Sequence, residues 1–111
     1  MTTTKLATLC DKATEAHRRI QQDFDNIDPV VGVTQNMRAS GIPADVMMID
    51  CLRTGKRIIL VLHDHQPDLI SYQFAFKDKD PGDNFEEQIF DQLTVNTLYN
   101  WMKDYFLATP L

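Results

Sequence analysis

The run Ile58-Ile59-Leu60-Val61-Leu62 constrains this chain most. It is too short for a buried helix and rich in β-branched side chains. Thr54-Gly55-Lys56 bounds it on one side and the polar stretch His63 to Asp68 on the other, so it reads as a strand. Successive side chains of a strand point to opposite faces, and this one is apolar on both, so both faces of any sheet that holds it want cover.

Two similar runs flank it. Val46 to Arg53 carries Val46, Met48 and Leu52 on one side and Met47, Ile49 and Cys51 on the other. Leu69 to Lys77 alternates Ile70, Tyr72, Phe74 and Phe76 with Ser71, Gln73 and Ala75, the pattern of a half-covered strand. With Arg57 to His63 between them, the short Gly-containing turn and the longer turn around Pro67 predict a three-stranded antiparallel meander.

Outside this β region the period changes. Leu6, Leu9, Cys10, Ala13, Ala16, Ile20 and Phe24 recur at three and four, which predicts an amphipathic helix from Lys5 to about Asp25 with Thr3 or Thr4 as cap. Glu15 stands three and four residues before Arg18 and Arg19, placing an acid beside bases on its outer face. After the polar break Asp25-Asn26, Asp28-Pro29 reads as a helix start and Gly41 as a stop, so a short second helix with Val30, Val33 and Met37 on its buried side is expected between them. Gly32 and the valines weaken its propensity.

Lys77 to Asn84 is a charged, turn-rich connector, and Phe85 to Gln92 has room for a short fourth strand around Ile89 and Phe90. Thr94 has the character of an N-cap, with Leu93 and Leu98 placed as a hydrophobic staple. A C-terminal helix with Leu98, Trp101, Met102, Tyr105 and Phe106 on one broad side follows, and Pro110 comes after it. The expected architecture is a single α+β domain over residues 1–111, with the C-terminal helix packed on the sheet.

At 111 residues and 43% hydrophobic the chain has material for one core. Its net charge of −5 disfavours nucleic-acid backbones, which are bound by basic surfaces. No apolar run approaches a membrane span, and the first residues lack the basic-then-apolar pattern of a leader, so a cytoplasmic protein is expected. Cys10 and Cys51 have no redox or zinc spacing and are expected to be free thiols.

Three groups stand out as candidate sites. In an extended segment His63 and His65 point the same way, and with Asp68, or His17 from a distance, they supply ligands for a metal ion. The same residues otherwise serve as an ordinary polar turn. Arg53, Lys56 and Arg57 surround a hairpin turn and offer an anion site, with solvated surface as the plainer alternative. Asp78, Asp80, Asp83, Glu86, Glu87 and Asp91 outnumber Lys79 and form either a docking strip for a basic protein partner or a loop kept soluble by charge.

No phosphate loop, nucleophile elbow or cofactor fingerprint is present, which leans away from an enzyme and implies no cofactor. The doubly apolar strands suggest surface left over after helices cover one face. Self-association as a homodimer, through that face or by joining edge strands, is the expected use of it. The reading is of a non-enzymatic protein-binding or regulatory domain acting as a homodimer, with a small metal- or ligand-binding protein centred on His63 and His65 as the alternative. In outline the layout is similar to small dimeric binding proteins such as type III secretion chaperones and immunity-type toxin inhibitors, although no motif assigns the chain to either.

Overall fold

A computed structural model describes residues 5–24, 27–79, 82 and 84–107. The Thr3 or Thr4 cap, the Asp25-Asn26 break, Asp80, Asp83 and Pro110 lie outside the described residues. The chain runs α1 (Lys5–Asp23), β1 (Pro29–Thr34), α2 (Asn36–Ala39), β2 (Ala44–Cys51), β3 (Lys56–His63), β4 (Leu69–Phe76), β5 (Glu86–Ile89), a 3-10 turn (Phe90–Gln92) and α3 (Val95–Leu107).

The strands form one antiparallel sheet in the order β1-β2-β3-β4-β5, so the predicted α+β class and meander hold but the strand count is five rather than three. The largest departure lies before the meander. Pro29 to Thr34 is a strand, not the opening of the predicted second helix, and only Asn36–Ala39 is helical. Pairing with β2, which sets Val31 opposite Ile49 and Val33 opposite Met47, suits the β-branched valines that made a poor helix. Gly41, at φ +91, turns the chain out of α2 toward β2. The ambiguous segment after the connector supplies β5, paired with β4 from Tyr72↔Glu86 to Leu69↔Ile89.

Both long helices cover the same face of the sheet. Leu9, Ala13, Ala16 and Ile20 of α1 and Leu98, Met102 and Phe106 of α3 share a core with Met47, Ile49, Ile58, Leu60 and Ile70. Arg19 Nη1 donates to Asn96 Oδ1 at 3.1 Å, tying the helices to each other at their rim. The Thr94 cap is in place, its Oγ1 accepting from the Thr97 amide at 3.2 Å, and Leu93 and Leu98 are both buried as a staple requires. Trp101 packs on Tyr72, their ring centroids 4.4 Å apart, and the Tyr105 hydroxyl donates to the Ala75 carbonyl at 2.7 Å, docking α3 on β4. Among the described residues no helix is long and apolar enough to cross a membrane.

Candidate binding surfaces

The other face of the sheet is left uncovered by α1 and α3, and with the walls that flank it forms an open concavity. Its floor alternates with the packed face along β2 and β3: Val46 lies opposite Val61 and Met48 opposite Ile59. Met37 of α2 packs against this group from one side, forming a small second cluster with Ala44, Val46, Ile59, Val61 and Ala75. The connector after β4 rises on the other side, held there by Gln73, whose Nε2 donates to the carbonyls of Gly82 and Asn84, each at 3.1 Å. The connector contributes Lys79 and Phe85 to this wall, beside Phe76 at the end of β4. The result is an open groove of about 450 Å³ whose floor residues Ile59 and Val61 are only 7% exposed.

Charge holds the α2 wall in position. Arg38 donates from Nε and Nη2 to the two oxygens of Asp45, at 3.0 and 3.1 Å, and from Nη1 and Nη2 to Asp64, both at 2.9 Å. One guanidinium thus ties α2 to the start of β2 and to the β3–β4 turn. The Arg38 hydrogen bonds hold both carboxyls below the usual aspartate range, and Gln35 adds a further bond to Asp45 at 3.3 Å. A second cavity, of about 420 Å³, opens beside this ion cluster and shares His63 with the groove.

The sequence-derived site residues separate in space. His63 ends β3 half-buried on the groove wall, whereas His65 and Asp68 are exposed in the following turn and Asp64 belongs to Arg38. Among the described residues no three His, Cys, Asp or Glu side chains converge on a cation site, and His17 on α1 does not join the pair. Cys10 and Cys51 are free thiols, and burial raises the Cys10 pKa.

Lys56 and Arg57 point to opposite faces because they are adjacent in a strand. The buried Lys56 ammonium donates to the Tyr105 carbonyl at 2.8 Å, near the end of α3. Arg57 Nε and Nη2 reach the two oxygens of Asp50 across the concave face at 2.6 and 3.0 Å. Arg53 is exposed in the β2–β3 turn, so the three bases do not form one anion site. Of the acidic residues, Asp78, Glu86, Glu87 and Asp91 are all exposed, with Glu86 and Glu87 on the edge strand β5.

The two edges of the sheet differ sharply. The β5 edge is four residues long and opens with two glutamates, while the β1 edge is six residues long, Pro-Val-Val-Gly-Val-Thr, with no charge. Val30 and Val33 are 47% and 42% exposed there. Among the described residues no backbone hydrogen bond reaches the outer side of β1. Sequence reasoning missed both this edge and the walls of the groove. The valines around Gly32 were the available signal for the strand, but nothing local in sequence marks Arg38, Met37 or Phe85 as neighbours of β3. No family model, curated protein or solved structure matches the chain.

Proposed function

We propose that the protein is a non-enzymatic interaction domain that works as a homodimer, two copies pairing through their β1 edges into a continuous sheet. The observation that carries this reading is the uncharged, open β1 strand. Exposed edges are ordinarily blunted by charge, proline within the strand, a bulge or a covering element, and β1 has only the proline at its first position. The acidic β5 edge is protected by comparison, since like charges facing each other across a new pair repel.

Gly32 supports the same reading. A Cβ there would meet nothing within 4 Å in the protomer, so packing within the protomer gives no reason for a glycine in mid-strand. Close approach of another backbone is a common reason for one. A twofold axis perpendicular to the sheet would run the two β1 strands antiparallel, with both helical layers on one side and both concave faces on the other.

Sedimentation equilibrium on the wild type and on Val33→Lys tests this. The expected result is a dimer converted by the lysine to a folded monomer, which keeps a cooperative melting transition because Val33 is exposed but loses the concentration dependence of the wild-type melting temperature. A wild type that is monomeric at every concentration, or a Val33→Lys protein that stays dimeric, overturns the assignment. The exposed Glu86, Glu87 and Asp91 favour a second reading, in which the β5 edge docks a basic protein. Retention on an immobilised basic peptide that is lost with salt and lost again in Glu86→Gln/Glu87→Gln supports it.

A further inference from the structure

We infer that the concave groove is a binding site for a free long-chain carboxylate, its alkyl chain lying along β3 and its head at the end marked by Arg57 and Lys79. The groove is distinct from the β1 edge, so this inference stands apart from how copies of the chain pair.

The lining has the make-up of a ligand site: a largely apolar surface with a few polar groups at fixed places. Along the concave side of β3 the order is Arg57, Ile59, Val61, His63. At about 3.3 Å per residue that is a strip roughly 20 Å long, basic at both ends and apolar between them. Met48 and Val46 widen it from β2, and Phe76 and Phe85 close one side, within a volume of about 450 Å³.

Charge selects the head group. The ionisable residues lining the groove are Arg57, His63 and Lys79, all basic, in a chain whose net charge is −5. Arg57 lies opposite Ala75 and Lys56 opposite Phe76, which places the Phe76 and Lys79 wall at the Arg57 end. Lys79 Nζ lies 5.2 Å from the Phe76 ring centroid, an arrangement that holds an ammonium at the rim. Asp50 engages Nε and Nη2 of Arg57, and a guanidinium has five N–H donors, so the remaining donors can turn to a second carboxylate.

The floor argues against a peptide. It is made of strand faces rather than a strand edge, so it presents side chains and no row of backbone donors and acceptors. An extended peptide laid over Ile59 and Val61 would leave its own amides unpaired against apolar surface, a cost an alkyl chain does not carry.

The test is titration of the intact chain with sodium dodecanoate below its micellar concentration. Binding is read by calorimetry, and stoichiometry by native mass spectrometry. Dodecanol, dodecyltrimethylammonium and acetate serve as probes with the head changed or the tail removed. The inference expects one saturable dodecanoate per chain, affinity for dodecanol lower by about tenfold, and no binding of the cation or of acetate.

Lys79→Gln, an exposed position, should lower dodecanoate affinity several-fold and leave dodecanol unchanged, while Met48→Gln should weaken both. Equal affinity for acid and alcohol, indifference to Lys79→Gln and Met48→Gln alike, or multiple non-saturable binding overturns the inference. So does a lack of dodecanoate binding by a protein with the wild-type melting curve, an outcome that would leave the groove to an apolar protein segment.

Discussion

Leu60 and Ile59 are neighbours in β3, and both are buried, but different structures keep them dry. Leu60 points into a sealed core that the sheet shares with α1 and α3, where it is fully buried. Ile59 points into the concave face, where one short helix and a pinned connector exclude most water without closing the space above it. Similar exposure values therefore describe two different environments, a filled interior and a floor with room above it. The first stabilises the fold. The second is where a ligand can lie.

Truncation should separate the two most strongly. Leu60→Ala removes buried methyl groups and leaves a sealed cavity, so transfer and cavity terms add to about 4 kcal/mol. Ile59→Ala removes as many carbons but only enlarges a groove that is already open, so the transfer term alone, about 2 kcal/mol, is expected. Urea denaturation of both variants measures the difference. Equal losses would mean that the concave face is as tightly filled as the helical one, and would remove the basis for a ligand site.

A smaller effect is expected where the sheet meets the end of α3. Lys56 is buried on the helical face, its ammonium on the Tyr105 carbonyl and 5.1 Å from the Tyr105 ring. A cation at a helix C-terminus opposes the negative end of the dipole and satisfies a carbonyl that lacks an intrahelical partner. Lys56→Met keeps the packed stem and loses the charge, which should cost about 1 kcal/mol and increase amide exchange over the last turn of α3. An unchanged stability would show that the stem alone supports the contact.

How much of this was readable in the sequence depended on whether a feature was local. Period and punctuation place α1, the three central strands and α3, because a stripe such as Leu9, Ala13, Ala16, Ile20 and a cap such as Thr94 are set by residues a few positions apart. Val30 to Thr34 carries good helix punctuation in Pro29 and Gly41, and what makes it a strand is its pairing with β2, which lies outside any local window. The doubly apolar β3 did announce a second face in need of cover. That the cover is partial, and that Met37, Phe76 and Phe85 provide it, follows from tertiary contacts that no window of sequence contains. Lys56 and Arg57 show the same limit from the other direction: adjacent in sequence, they belong to opposite faces.

The last contrast concerns pH and is the smallest in global stability. The wall of the groove hangs on Arg38 between Asp45 and Asp64, whose carboxyl pKa values are lowered in the folded state by its hydrogen bonds. Lowered folded-state values mean that the stabilisation is fully present above the unfolded aspartate pKa of about 3.9 and is lost as pH falls through the folded values. As pH falls below about 3.9, α2 should therefore loosen from β2 and from the β3–β4 turn, while α1 and α3, packed on the other face by apolar contacts, respond less. Met37 methyl resonances should report this before Trp101 fluorescence changes, since Met37 lines the groove and Trp101 packs on Tyr72 in the helical layer. Arg38→Met should flatten the acid limb for Met37 and leave that of Trp101 in place. If the two probes move together in the wild type, the faces unfold as one unit and the distinction between filled core and charge-held wall is lost.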